Sequence, residues 1–375
     1  MTEREKLLGV FGKGPYGGTP WFADLSYYYG SLADRGLLHP AYAGDGLVDF
    51  HRAAGAGICF YAPPLYRERY APEVECRVEK RGRDILTTYD TPLGSIRQEF
   101  CYSPQIYTYE IRKPYVENMQ DLRVMAYVCV HTWYEKAYEA FQKTAEVWNR
   151  QGIAVALPPV CVSPLQTLLS RWAGVEKTVV LLMDEEEEFE ELLHRIFHAQ
   201  DPVFEILAES PAEVIEFADN LASDITGPRL FERFNAGWYR QRTALLHQTG
   251  KLVTIHNDGA LRGCLPLLEG CGFDGAEALT PAPVGDLEAE KLRETAGTLV
   301  IWGGLPGALF SSGYSDEEFE QHLDRILRTF SQDKRFVLGV ADQVPPDGKW
   351  ERIRLVRQKL DDWNRERGYE PADAG

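Results

Sequence analysis

Short apolar runs that end abruptly in acid or imidazole side chains are where this sequence could do chemistry. The clearest is Leu252-Val253-Thr254-Ile255-His256-Asn257-Asp258-Gly259, in which β-forming residues give way to an imidazole, an amide, a carboxylate and a glycine. Groups placed there lie where a strand leaves the core, and the glycine lets the backbone turn without a Cβ clash. Taken alone, the tetrapeptide reads equally well as an Asx-type turn with a surface histidine. Asp24, Asp219, Glu277 and Asp342 stand at the ends of similar runs, and that repetition favours a site. Imidazole and carboxylates serve acid–base catalysis or metal ligation, provided the fold brings them together.

The elements that would do so alternate. Apolar runs near residues 21, 58, 154, 215, 253, 275, 300 and 338 read as eight strands, the third spanning 152–159. Helical spacing separates most of them, over about 46–54, 116–128, 133–150, 228–250, 261–270, 286–295, 315–330 and 350–364. Strands alternating with helices imply a parallel sheet, and eight of them imply an α/β fold, the (β/α)8 TIM barrel, with its active site at the C-terminal strand ends. Residues 74–112 break the rhythm with period-two alternation and glycines at turn positions. They are expected as a β-hairpin insertion after strand two, within one domain spanning 1–375, serving as a lid or a dimer contact.

Composition narrows the function. A net charge of -17 argues against binding nucleic acid. No apolar run reaches the roughly 20 residues a bilayer span needs, and the charged start Met1-Thr2-Glu3-Arg4-Glu5-Lys6 is unlike a signal peptide, so a cytoplasmic location is expected. Seven scattered cysteines without a C-x-x-C pair fit reduced, mostly buried thiols. Gly12-Lys13-Gly14-Pro15-Tyr16-Gly17 has dinucleotide-binding spacing, but Pro15, Gly18 and Pro20 interrupt the helix that motif requires, so a flexible loop is expected. The acidic run 184–188 reads as a solvated helix start with Asp184 as N-cap, ahead of an apolar face at Phe189, Leu192, Leu193, Ile196 and Phe197.

The order of these pieces resembles the uroporphyrinogen decarboxylase superfamily. The resemblance runs over about residues 75–360, through Tyr89-Asp90-Thr91-Pro92-Leu93-Gly94-Ser95, His256-Asn257-Asp258-Gly259, Gly270-Cys271-Gly272-Phe273-Asp274-Gly275, Gly285-Asp286-Leu287, Trp302-Gly303-Gly304 and Val340-Ala341-Asp342-Gln343-Val344-Pro345-Pro346. The superfamily holds porphyrinogen decarboxylases and corrinoid-dependent methyltransferases on one barrel. Residues 21–30 lack the basic, arginine-containing motif with which the decarboxylases handle substrate carboxylates. Where the thiol methyltransferases bind zinc through a His-x-Cys pair and a later cysteine, this chain has His256, Asp258 and Asp342.

The resemblance therefore implies a methyltransferase that moves a methyl group between a small methylated, possibly methoxylated aromatic, substrate and a cobamide on a corrinoid partner protein. In that reading His256, Asp258, Glu277 and Asp342 are the zinc ligands, and His256, Asp219 and Glu277 the catalytic groups. Trp21, Asp24, Tyr27, Tyr28 and Trp302 line the substrate pocket, and a homodimer is possible. The alternative is a carboxy-lyase acting on a tetrapyrrole or another acid, for which Arg97 and Arg262 are the only cations near the mouth. A non-catalytic binding barrel would carry no metal and no mutually close ionisable groups.

Overall fold

The computed structural model describes residues 1–44, 46–148, 151–156 and 163–372. Eight parallel strands close into a barrel: β1 (Trp21–Asp24), β2 (Gly57–Tyr61), β3 (Gly152–Ala156), β4 (Val214–Phe217), β5 (Leu252–His256), β6 (Gly275–Leu279), β7 (Val300–Pro306) and β8 (Phe336–Gln343). Each strand pairs with its neighbour in this order, and β8 returns to β1. The barrel expectation is met. The last part of the expected third strand, 157–159, lies outside the described residues.

Period-two alternation sorts the strand side chains into two cores. Ile215, Phe217, Val253, Ile255, Ile301 and Leu338 point outward into the layer beneath the helices. Val214, Leu252, Val300, Trp302, Val337 and Phe22 point inward, where Leu7 and Val10 of the helix Glu3–Val10 meet them. That helix plugs one end of the barrel, and full burial of each apolar side chain contributes about 1.5–3 kcal/mol. Its start is written in the sequence as a capping box, with Thr2 Oγ1 accepting from Glu5 N–H and the Glu5 carboxylate accepting from Thr2 N–H.

The segment expected as hairpins is a four-stranded antiparallel meander, Glu75–Arg81, Asp84–Thr91, Gly94–Ser103 and Thr108–Lys113. Its base is tied by a further antiparallel pair, Tyr66–Tyr70 with Thr132–Lys136. The helix expected over 133–150 is thereby corrected. Residues 132–136 are a strand because the β-formers Thr132, Trp133 and Tyr134 pair antiparallel with Tyr66–Tyr70, and the helix begins only at Glu139. The far tip leans on the helix Ser26–Asp34: Tyr27 Oη donates to the Ile106 carbonyl, and Arg83 pairs with Asp34 at 2.9 Å.

Two further expectations change. Asp184 ends the helix Val175–Asp184 and does not cap the next, Glu186–Ala199. The acids there are ion-paired, Glu188 with Arg123 at 2.6 Å and Glu186 with Arg233 at 2.5 Å. Asp286 opens no helix; its Oδ1 accepts from Leu261 N–H at 2.7 Å, and the helix starts at Ala289. The glycines at 12, 14 and 17 form a loop with no helix inside it. Among the described residues no helix is long and apolar enough to cross a membrane.

Candidate active site

Three adjacent strands bring together two carboxylates and one imidazole. Glu216 on β4 sits opposite Thr254 on β5, and His256 two residues further on sits opposite Glu277 on β6. Because Val214 and Leu252 face the barrel interior, period two sends Glu216, Thr254 and His256 inward as well. One ligand-type atom from each of Glu216, His256 and Glu277 lies within 4.8 Å of the others.

His256 Nδ1 is 2.7 Å from Glu277 Oε2, and its Nε2 is 3.9 Å from Asp342 Oδ1, beyond hydrogen-bond range. Thr254 Oγ1 donates to Glu216 Oε2 at 3.0 Å. Burial alone would lower the His256 pKa, but Glu277, with Glu216 and Asp342, raises it to about 10. Burial and repulsion by Glu277 push Glu216 up to about 8. Burial likewise raises Asp24 from its ordinary value, and raises Asp342 as well although that side chain is about half exposed. Burial, reinforced by Glu216, Glu277 and Asp24, keeps the inward Cys59 on β2 a neutral thiol.

Backbone strain converges on the same place. The described non-glycine residues with positive φ are Tyr107, Asn220, Ala278 and Asp342. Asn220 follows β4, Ala278 adjoins Glu277, and Asp342 lies near the end of β8. Such conformations cost about 1–3 kcal/mol each and cluster where function over-determines the structure.

The remaining expected site residues divide. Asp24 belongs to the mouth: Gln343 Nε2 donates to its Oδ2 at 2.9 Å and Ser26 N–H to its Oδ1 at 2.8 Å. Tyr27 borders it, since Asp342 is the charge that acts on its hydroxyl. Trp302 is an interior wall residue, edge-on to Phe22 at 5.4 Å. Trp21 and Tyr28 do not reach the mouth. Trp21 lies in the outer core because Phe22 and Asp24 take the inward positions of β1, and Tyr28 packs on Phe50 at 6.1 Å.

Asp258 Oδ1 is occupied by Thr280 Oγ1 and by Gly259 N–H at 2.6 Å, so it does not join the three-residue cluster. Asp219, three residues after Glu216, is fully buried but accepts from Ser163 N–H at 2.7 Å and from Tyr239 Oη, neither of which belongs to the cluster. Burial lifts its carboxyl to about 7. Arg262 reaches the Asp286 carbonyl at 2.5 Å and Arg97 lies near Glu99 on the meander, so neither supplies a cation to the cluster.

Glu216 was missed in the sequence, although an acid inside the run Val-Ile-Glu-Phe, in phase with an inward valine, marks it. The donor set fits a divalent cation. Two buried carboxylates with one imidazole are costly together unless a positive charge joins them, and nitrogen with oxygen donors suits zinc.

A family model described as uroporphyrinogen decarboxylase (URO-D) matches residues 109–363. Among 30 matching chains of solved structures is a methyltransferase from Methanosarcina mazei, with a TM-score of 0.62 and 14% identity, covering 97% of this chain and 99% of that one. No curated protein matches.

Proposed function

The chain belongs to the uroporphyrinogen decarboxylase family, and from that membership we propose that it is a methyltransferase whose barrel mouth holds a divalent metal ion, zinc by donor type, on Glu216, His256 and Glu277. The single observation that carries the reading is the convergence of these three donors, Glu216 buried and His256 and Glu277 largely so, on three neighbouring strands. Methyl transfer is chosen because the mouth gathers acids and, among the described residues, shows none of the cations that a poly-acid such as a tetrapyrrole would need, and because a methyltransferase shares the fold. The substrate in this reading is small and methylated, possibly a methoxylated aromatic, and the acceptor is the corrinoid of a partner protein.

When bound, the ion supplies a Lewis acid that polarises the leaving heteroatom. Glu277 fixes the His256 ring through Nδ1, and Thr254 holds Glu216 in its rotamer. Asp342, half exposed at the rim with an oxygen 3.9 Å from His256 Nε2, is the carboxyl placed to exchange a proton with a departing oxygen. Trp302 and Phe22 close the barrel interior to water, while Tyr27 and the meander tip stand at the rim. Asp219 acts at a distance as a positioning residue, holding the chain at Ser163.

The test joins metal content to methyl transfer onto cob(I)alamin. Glu216→Gln and His256→Ala should each lose bound metal and at least about 100-fold in rate, as expected when a group acting in the transition state is removed. Full activity in metal-free wild-type protein would sink the proposal.

A further inference from the structure

A second set of metal-binding groups lies on a helix that contributes nothing to the mouth. On Glu186–Ala199, the residues Glu190, His194 and His198 recur every fourth position and so share one face. They line a cavity of about 340 Å³ together with Arg233, Trp238 and Gln241. The two imidazoles meet through their Nε2 atoms, 3.2 Å apart, with ring planes at 71°. Asp201 Oδ2 is 3.2 Å from His198 Nδ1. That carboxylate holds the proton on Nδ1 and leaves the Nε2 lone pair of His198 facing His194.

We propose that His194 and His198 chelate a first-row transition-metal ion of the zinc, nickel or copper(II) class through their Nε2 atoms, with solvent completing the shell. Two nitrogens about 2.0–2.1 Å from a tetrahedral ion are about 3.3–3.4 Å apart. The observed 3.2 Å separation thus already has the span of a chelate. Asp201 occupies the place of the outer carboxylate that orients a metal-bound histidine. Glu190 is held by Arg233 at 2.5 Å and so is not one of the ligands. His198 is half exposed, which opens the site to ions from solvent. An ion here joins two turns of one helix and, through Asp201, the start of the helix Asp201–Ala208. Its role is to brace this layer, and it shares no residue with the mouth.

The experiment titrates chelator-washed, full-length protein with Zn²⁺ and separately with Cu²⁺ by calorimetry, at about pH 7.5 where ordinary imidazoles are neutral. The comparison proteins are the His194→Ala/His198→Ala double variant, Asp201→Asn, and the double variant in a Glu216→Gln background. Both histidines are exposed and alanine is the best helix former, so the helix is retained. The double variant should bind one equivalent less than wild type, and the same equivalent should go missing in the Glu216→Gln background. Asp201→Asn should keep the equivalent but bind it about 10-fold more weakly. Copper-loaded wild type should show coupling to two imidazole nitrogens by electron paramagnetic resonance. Equal stoichiometry and affinity in wild type and the double variant, or a copper signal without two nitrogens, would overturn the proposal.

Discussion

Glu216→Gln separates a cation site from an ordinary buried acid cluster. Without a cation, burial and Glu277 push the Glu216 carboxyl up to about 8 from an ordinary 4.5. The native protein then holds a proton that the unfolded chain releases, so this group costs stability as pH rises above 4.5, and the cost is complete above about 8. A difference of that size corresponds to at most about 5 kcal/mol. Because Glu216 shares its field with His256, about 2–3 kcal/mol is the working figure. His256 adds a change of the same sign: its pKa of about 10 in the fold, against 6.5, gives stability that is full below 6.5 and lost as pH rises through 10. Chelator-treated wild type should therefore be several kcal/mol less stable at about pH 9.5 than at about pH 6.5. Zinc should reverse much of that loss, since it displaces protons from both groups and gains affinity as they leave. Urea unfolding midpoints at the two pH values, with chelator and with zinc, read the effect. Glu216→Gln should remove the Glu216 share of the chelator profile, leaving a shallower slope from His256, and should remove the zinc response. A metal-free variant with the wild-type pH slope, or a wild type indifferent to zinc, would refute the reasoning.

Two structural predictions follow from other contacts around the barrel. Gly339→Ala would bring a Cβ to 2.8 Å from Trp302 Cδ1 and 3.0 Å from its Nε1. It should cost about 1–3 kcal/mol of unfolding free energy and shift tryptophan fluorescence, whereas an unchanged midpoint would mean the interior is looser than it looks. Tyr239→Phe removes the hydroxyl that donates to Asp219 Oδ2, at a cost of about 1–3 kcal/mol. Because the Asp219 carboxyl sits at about 7, the loss should be larger above that pH, where the carboxylate needs its donors, and equal losses at pH 6 and pH 8 would contradict the assignment.

Much of the fold was legible because parallel strands buried on both faces leave continuous apolar runs between amphipathic helices. The same property hid the inward faces. Trp21 and Phe22 are equally apolar, and only the parity of Asp24 tells that Phe22 points inward and Trp21 outward. Tyr27, Tyr28 and Tyr29 are consecutive on a helix, so they fan apart: Tyr27 to the rim, Tyr28 and Tyr29 onto Phe50. Glu216 is hidden inside its strand, whereas the strand-end position marks Asp219, three residues later, which the fold uses to hold Ser163 and Tyr239. Asp258 was drawn into the ligand set by spacing from His256, but spacing does not reveal that Thr280 and Gly259 satisfy its Oδ1 first.

In the proposed centre, then, the donors have moved. The positions at which the resemblance implies thiolates carry Asp258 and Asp342, yet the carboxylates that meet His256 come from inside β4 and β6. A thiolate centre softens its metal and suits a sulfur substrate, whereas one imidazole with two carboxylates makes a harder centre that favours an oxygen or nitrogen ligand in the open position. Asp342 is left free of the cluster, 3.9 Å from His256 Nε2, in a strained left-handed conformation with φ of 64°. That conformation sets the Asp342 carboxyl beside the proposed centre, and an oxygen leaving group draws on a neighbouring acid for its proton where a thiolate does not. The exchange of sulfur for oxygen ligands and the placement of Asp342 thus favour the same substrate chemistry, cleavage of a methyl group from oxygen in preference to alkylation of a thiol.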